Sequence, residues 1–203
     1  MLILSSSRLG ATWMRNKFEK VLGGTDLSDK KLLIIPCASA NEEKAGAQAI
    51  EDALSFGFKR EHIFIFSVRS FSILGRIYTE PKSKYDYIYV TGGNTFKLLH
   101  DLKECGYDKV LRKTIIEDAT YIGSSAGAYL ISKDVSHIQK YDENNYGIDD
   151  FSGLGILDAR LICHFDNDRY YDYYKLRMLT SDVVFTIDDD SVLVVDKDNI
   201  YYI

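Results

Sequence analysis

The chain has 203 residues, of which 46% are hydrophobic, and its formal net charge is −5 at pH 7. This size and composition can bury one full hydrophobic core, so we expect a single domain over residues 1–203. Lysine and arginine are scattered along an acidic chain, which argues against the basic patch that a nucleic-acid partner requires.

The three cysteines, Cys37, Cys105 and Cys163, are widely spaced and form no CxxC pair. This pattern argues against a disulfide framework and against a structural zinc site, and it favours a reducing, cytoplasmic location. We also expect no cofactor. The chain has neither a basic segment before its first apolar run nor about eighteen uninterrupted apolar residues, so we expect neither export nor contact with a membrane.

Short apolar runs rich in β-branched and aromatic residues recur along the chain and predict buried strands. They occupy residues 2–4, 32–35, 63–68, 87–90, 121–122, 161–163, 183–187 and 192–195. Helical patterns between several of these runs predict an α/β fold, with a mostly parallel sheet and helices on both faces. In the segment 183–203 only acidic turns separate the runs, and we expect an antiparallel hairpin there.

The clearest helical pattern covers residues 41–58 and places four apolar side chains on one face: Ala47, Ile50, Leu54 and Phe58. Ser39, followed three residues later by Glu42, suits a capping box at its start. A second helix is expected after Asn94 and a third near residues 109–119. The polar segment 133–150 is longer than most connections in compact domains, which indicates a functional loop.

Residues 123–127 read Gly-Ser-Ser-Ala-Gly, which fits the G-x-S-x-G pattern of a nucleophile on a sharp strand-to-helix turn. Such a turn leaves no room for side chains two residues before and two residues after the nucleophile. Ser125 meets that condition, whereas Ser124 would have Ile122 and Ala126 at those positions. The alternative is a tight strand-to-helix connection without a chemical role.

A second glycine turn, Gly92-Gly93, follows the predicted strand 87–90, and Asn94 is placed to cap the next helix. In a parallel sheet both turns can lie at the carboxyl ends of neighbouring strands, where ligands bind in open α/β folds. The backbone N–H groups of Ala126 and Gly93 are then candidates for an oxyanion site, with Gly92 and Asn94 beside them. A tight βα turn with a capped helix would need the same residues.

Three motifs in this order, VTGGNTFKLL, GSSAGA and LICHF, resemble those of the family of dipeptidase E (aspartyl dipeptidase) and cyanophycinase. The motifs cover roughly residues 85–165, and elsewhere the resemblance rests on the order of strands and helices. It implies a flavodoxin-like fold similar to that of class I glutamine amidotransferases. It also implies hydrolysis of a peptide bond by a serine that acts with a histidine and an acidic residue, without a metal.

His164 is the predicted base, because it ends the apolar run 161–163, should emerge at the carboxyl edge of the sheet, and matches the His-Phe motif of the family. The other three histidines, His62, His100 and His137, are expected to be structural or solvated.

The resemblance implies that the acid of the triad lies between the serine and the histidine, in the loop after the nucleophile helix. Asp142 is the predicted acid, and Glu143 is its immediate competitor. Three further aspartates of this region are expected in loops or caps: Asp149, Asp150 and Asp158.

A preference for amino-terminal aspartate, which the resemblance implies, would require a cation near the site. Arg169 is the candidate for a carboxylate clamp, and Lys175 and Arg177 belong to the same tract. The alternative is a surface charge on an amphipathic helix whose Tyr and Leu residues pack inward. Cys163 is expected to be a small buried hydrophobe.

Together these patterns predict a serine peptidase that acts on short peptides through an acyl-enzyme. An esterase of the α/β-hydrolase type shares the G-x-S-x-G motif, but the short interval between Ser125 and His164 disfavours it. The alternative from another class is a catalytically silent module that binds a small anion at the two glycine turns. The fifteen tyrosines are compatible with the interface of a homo-oligomer.

Overall fold

The structure is a computed structural model that describes residues 1–74, 85–197 and 199–203. Its strands are β1 (Leu2–Ser5), β2 (Leu32–Ile35), β3 (Ile63–Ile65), β4 (Tyr87–Val90), β5 (Thr120–Ser124), β6 (Ala159–Cys163), β7 (Val183–Ile187), β8 (Val192–Asp196) and β9 (Asn199–Tyr202). Its α-helices are α1 (Arg15–Leu22), α2 (Glu42–Ser55), α3 (Val68–Leu74), α4 (Thr95–Cys105), α5 (Tyr107–Glu117), α6 (Ala126–Leu130) and α7 (Tyr170–Leu179). Short 3-10 helices cover Arg60–His62 and Ser136–Lys140.

Seven strands form one sheet in the order β3-β2-β4-β5-β1-β8-β9. The five strands from β3 to β1 run parallel, and the register pairs Val90 with Gly123 and Ser5 with Ser124. The prediction of a mostly parallel sheet is therefore confirmed. Because the carboxyl ends of β4, β5 and β1 lie side by side, the connections that follow these three strands begin next to one another.

Helices cover both faces of this sheet, as predicted. Successive side chains of a strand point to opposite faces, so Leu4 and Val90 pack into a core with α4, α5 and α6. Ile3 and Tyr89 pack into a second core with α1 and α2. The strands beneath the candidate site are thus buried from both sides, which makes them a rigid base for it.

The carboxyl-terminal strands depart in part from the prediction. The predicted antiparallel hairpin is formed by β8 and β9, and β8 also pairs antiparallel with β1. β7 instead pairs parallel with β6 in a separate two-stranded sheet. Residues 188–191 therefore carry the chain from one sheet to the other rather than closing a hairpin.

The helix predicted over residues 41–58 is α2, and its predicted cap was wrong. The side chain of Asn41 accepts the N–H of Lys44 at 2.9 Å and caps the helix, whereas the hydroxyl of Ser39 accepts the N–H of Asn41. The cap lies one residue before the first helical residue, Glu42, which leaves Ser39 too far upstream to cap the first turn.

The buried face of α2 also differs from the predicted one. The buried residues of the helix are Gly46, Ala49, Asp52 and Ala53. Of the predicted face, Ala47 and Leu54 are exposed, whereas Ile50 packs against the core and Phe58, beyond the end of the helix, is buried. Apolar periodicity therefore misplaces part of the buried face of this helix.

Three further features of the fold differ from the predicted elements. β3 ends at Ile65, and Val68, predicted as its last residue, begins α3. The helix α1 was not predicted from the sequence pattern. The segment 133–150 contains the 3-10 helix Ser136–Lys140. Among the described residues, no helix combines the length and the apolar character needed to cross a bilayer.

Candidate active site

Ser125 occupies the sharp bend between β5 and α6. Its backbone has φ 50° and ψ −106°, which is a strained conformation for a residue that carries a side chain. Its N–H donates to the carbonyl of Ser5 at 2.8 Å, which fixes the bend to the neighbouring strand β1. Ser125 is partly exposed, whereas Ser124 is buried, so Ser125 is the serine that a substrate can reach.

Gly123 and Gly127 leave no space for a side chain on either side of this bend. A Cβ atom on Gly123 would lie 2.6 Å from the carbonyl oxygen of Gly127, and one on Gly127 would lie 2.3 Å from that of Val90. Both distances are far below a tolerable contact between these atoms. The packing thus agrees with the steric argument that selects Ser125 over Ser124.

The Gly127→Ala variant is expected to lose about 1–3 kcal/mol of unfolding free energy, because the new methyl group must displace the backbone of β4. Gly46→Ala in α2 is the control. Its Cβ would meet no neighbour closer than 3.7 Å, and alanine is the better helix former, so this variant is expected to gain up to about 1 kcal/mol. Urea denaturation of both variants tests this. Equal stability of the two would contradict the packing described here.

His164 follows β6 and lies beside Ser125, as predicted. Its Nε2 atom is 3.0 Å from the Oγ atom of Ser125. The backbone of His164 has φ 52°, and its N–H donates to the hydroxyl of Ser6 at 2.8 Å. A serine hydroxyl within hydrogen-bond distance of an imidazole is the arrangement that general-base activation requires.

Two of the other histidines have structural contacts, in agreement with the prediction. The Nε2 atom of His137 lies 2.7 Å from the carbonyl oxygen of Leu161, and burial lowers the pKa of this imidazole. The Nδ1 atom of His100 lies 3.0 Å from a carboxylate oxygen of Asp101.

The acid beside His164 is Asp189. Its Oδ1 atom lies 2.6 Å from the Nδ1 atom of His164, on the opposite side of the ring from Ser125. Asp189 belongs to the segment 188–191 that connects β7 to β8. Its sequence signal is the run of three aspartates directly after an apolar strand, which lies outside the interval between the serine and the histidine where the family resemblance places the acid.

Asp142, the predicted acid, lies elsewhere, and the prediction is corrected. Its Oδ2 atom accepts the N–H of Thr95 at 2.7 Å, at the start of α4. The unpaired N–H groups and the positive dipole end of that helix account for this position of the carboxylate. Glu143 does not replace it, because its side chain accepts from Asn145 and its carbonyl accepts from Asn94.

The turn Gly92-Gly93 lies against Ser125. A Cβ atom on Gly92 would be 3.3 Å from the Cβ atom of Ser125. Gly93 has φ 144°, and a Cβ atom there would lie 2.2 Å from the carbonyl oxygen of Ala38, so glycine is required. Asn94 caps α4 as predicted, with its side chain accepting the N–H of Lys97 at 2.8 Å.

Two backbone N–H groups near Ser125 are available to bind a ligand. Within the described residues, neither the N–H of Gly93 nor that of Ala126 donates a backbone hydrogen bond. Ala126 is the first residue of α6, where an N–H has no intrahelical partner. They are the two donors predicted from the sequence for an oxyanion site.

Arg169 lies close to the candidate base. Its Nη1 atom donates to the carbonyl of Cys163 at 2.5 Å, and its guanidinium carbon lies 4.0 Å from the ring centre of Tyr141. Burial raises the pKa of the Cys163 thiol to about 12, so this side chain stays protonated, in keeping with a buried apolar role.

The expectation that the Tyr and Leu side chains of α7 pack inward was wrong for most of them. Leu176 is buried, but Tyr171, Tyr174 and Leu179 are exposed. The helix α7 packs on the small two-stranded sheet, where Leu176 contacts Ile162 and Val184 and Tyr173 is partly buried beside them.

The chain matches Peptidase family S51 over residues 1–203. It is 35% identical to an uncharacterized peptidase of Listeria monocytogenes over 173 residues, which are 82% of this chain and 78% of that protein. It is also 34% identical to Peptidase E of Shewanella oneidensis over 87 residues, which are 41% of this chain and 35% of that protein.

Solved structures agree with these relatives. A crystal structure of a candidate Peptidase E from Listeria monocytogenes superposes with a TM-score of 0.72 at 26% identity, over 100% of this chain and 96% of that one. A peptidase from an acI-B1 Actinobacterium, at 20% identity, shares the fold with a TM-score of 0.63, over 100% of this chain and 86% of that one. The chain therefore belongs to Peptidase family S51 and is a serine-type peptidase.

Proposed function

We propose that the chain hydrolyses short peptides through an acyl-enzyme, with Ser125 as nucleophile, His164 as general base and Asp189 as the acid that orients it. One observation carries this proposal. A continuous line of hydrogen-bond contacts runs from Ser125 Oγ to His164 Nε2 at 3.0 Å and from His164 Nδ1 to Asp189 Oδ1 at 2.6 Å.

Each contact has a chemical role in this proposal. Ser125 Oγ attacks the carbonyl carbon of the scissile bond while His164 Nε2 accepts the hydroxyl proton. The same nitrogen then donates that proton to the leaving amine. Asp189 keeps the other ring proton on Nδ1, which leaves Nε2 free to accept, and it stabilises the imidazolium that forms. Water then attacks the acyl carbonyl while His164 Nε2 accepts a proton from it. The same nitrogen returns that proton to Ser125 Oγ as the acid product leaves.

The free N–H groups of Gly93 and Ala126 are proposed to bind the oxyanion. An acyl transfer develops negative charge on the carbonyl oxygen, and two fixed donors stabilise it without reorganisation. The helix α6 adds the positive end of its dipole at the same place. The contact between Gly92 and Ser125 supports this assignment, because it keeps the turn against the nucleophile.

For the substrate we propose a short peptide whose amino-terminal residue carries a carboxylate. Arg169 supports this proposal, since its guanidinium has five N–H donors and is held next to the residue that precedes His164. One relative bears the name Peptidase E. The acidic segment 188–190 argues against this substrate preference, because its negative charges repel an anionic substrate.

Labelling and hydrolysis together test this function. A fluorophosphonate probe is expected to modify Ser125 in the native chain, and the adduct can be mapped by mass spectrometry, with Ser125→Ala as the control. A panel of aspartyl and non-aspartyl dipeptides then tests specificity. Absence of both labelling and hydrolysis would contradict the proposed mechanism. Equal rates of hydrolysis across the panel would contradict only the preference for amino-terminal aspartate.

A further inference from the structure

The three consecutive serines at the end of β1, Ser5, Ser6 and Ser7, contact all three members of the proposed triad. The carbonyl of Ser5 accepts the N–H of Ser125 at 2.8 Å. The hydroxyl of Ser6 accepts the N–H of His164 at 2.8 Å. The hydroxyl of Ser7 donates to the carbonyl of Asp189 at 2.9 Å.

We propose that residues 5–7, which we call the serine bracket, are the positioning element of the active site, with Ser6 as its principal member. These residues act through the triad and do not touch the substrate. This inference rests on the proposed function, because it assigns the bracket to the same three residues.

A bracket is needed because the triad is divided between two sheets. Ser125 follows β5 in the seven-stranded sheet, whereas His164 follows β6 in the two-stranded sheet. Asp189 lies in the connection from one sheet to the other. No strand ladder among the described residues joins the two sheets, so backbone pairing alone does not set the distance from the serine to the histidine. The bracket extends β1, the direct neighbour of β5, and reaches across this gap.

Ser6 joins the two loops that carry the base and the acid. Its side chain is buried, with 3% exposure, and its hydroxyl donates to the carbonyl of Ile187 at 2.7 Å while it accepts from His164. The N–H of Phe165 donates to the same carbonyl of Ile187 at 3.0 Å. One hydroxyl therefore connects the ends of β6 and β7 to the main sheet.

The backbone strain at His164 requires such support. A positive φ at a residue with a side chain costs free energy and persists only when neighbouring contacts fix it. The hydroxyl of Ser6 holds the N–H of that residue. Without this contact, the backbone of His164 is free to relax and its ring to leave the line between Ser125 and Asp189.

The backbone of Asp189 is fixed in a similar way. The side chain of Asp189 is 61% exposed, so packing does not hold it. Its carbonyl accepts from the hydroxyl of Ser7 and from the indole N–H of Trp13 at 3.2 Å. The hydroxyl of Ser5 donates to the carbonyl of Ser7 at 2.6 Å, which stiffens the bracket itself.

The test replaces Ser6 with alanine and measures both kinetics and the state of the His164 ring. We expect kcat to fall about 10- to 100-fold while KM changes little, because small displacements of a catalytic group act on the chemical step. Ring nitrogen shifts in long-range proton–nitrogen spectra, recorded at about pH 9 where an ordinary imidazole is neutral, report the tautomer. The wild type is expected to hold the proton on Nδ1, and Ser6→Ala to show a mixture; loss of the signals in His164→Gln assigns them.

Two controls separate positioning from folding. Ser132 is equally buried, and its hydroxyl donates to the carbonyl of Tyr129 at 2.5 Å, so Ser132→Ala loses a comparable contact and should keep both kcat and the tautomer. Ser6→Thr keeps the hydroxyl and should recover most of the activity.

If Ser6→Ala does not fold, Ser7→Ala provides the second test, since Ser7 is only partly buried. Its control is Ser55→Ala, which removes a hydroxyl bonded to the carbonyl of Asp52.

The outcomes are distinct. An unchanged tautomer and an unchanged kcat in the folded variants Ser6→Ala and Ser7→Ala would overturn the bracket. If the wild type hydrolyses no peptide, the proposed function fails, and the ring tautomer alone still decides whether the bracket orients His164.

Discussion

Ser125→Ala is expected to lower kcat by about 10⁴- to 10⁶-fold, with little change in unfolding free energy, because it removes the atom proposed to form the covalent bond. The hydroxyl of Ser125 contacts His164 and has no packing role that alanine cannot fill. The activity that remains should come from the oxyanion donors and from substrate binding. Steady-state kinetics with a peptide that the wild type cleaves provides the measurement.

Ser124→Ala is the matched control for this variant. Ser124 is adjacent in sequence, but it is buried and its hydroxyl lies 3.4 Å from that of Tyr89. We expect this variant to keep kcat near the wild-type value. A large loss in Ser124→Ala together with a small loss in Ser125→Ala would show that the wrong serine has been assigned as nucleophile.

Asp189→Asn is expected to lower kcat by about 10⁴-fold while leaving the fold intact. The amide of asparagine can donate to Nδ1 of His164, which favours the tautomer with its proton on Nε2. That nitrogen then cannot accept the proton of Ser125. The measurement is kcat together with the ring tautomer of His164, and both should change.

Two carboxylates serve as controls for Asp189. Asp190 is its neighbour in the same segment, and Asp190→Asn should keep both kcat and the tautomer. Asp142→Ala should lose about 0.5–2 kcal/mol of stability, because it removes a contact that caps α4. Any loss of activity in that variant should leave the tautomer of His164 unchanged. A tautomer that responds to Asp142 and not to Asp189 would reverse the assignment.

The positions of Ser125 and His164, the proposed nucleophile and base, could be predicted from the sequence because their signals are local. The spacing of Gly123, Ser125 and Gly127 is a steric requirement of one bend, and the close contacts of both glycines express it directly. His164 follows an apolar run and therefore emerges where a strand ends. A short stretch of chain contains the whole argument in each case.

The proposed acid could not be predicted in this way because its position depends on how distant strands pair. Asp189 reaches His164 only because β7 pairs with β6, and that pairing joins segments that are separate in sequence. The apolar pattern of β7 fits a hairpin with β8 equally well. Carboxylates are abundant in this chain, so composition does not distinguish Asp189 from Asp142.

The buried face of a helix is also hard to predict from the sequence. Apolar periodicity predicts that α2 exists, but Gly46 and Ala49, which carry little or no apolar side chain, lie on its buried face. The outward side chains of α7 follow from the small size of the sheet beneath it. The serine bracket has no sequence signature, because three serines after a strand are also an ordinary polar turn.

The central claim is that Ser125 forms a covalent intermediate within the line that connects it to His164 and Asp189. Rapid acid quenching of a reaction with an activated amino acid ester, followed by mass spectrometry of the intact chain and of its peptides, tests this claim directly. We predict an adduct with the mass of the acyl group on Ser125 in the wild type and a strongly reduced adduct in Asp189→Asn. Hydrolysis that proceeds with no adduct, or with an adduct on a different residue, would contradict it.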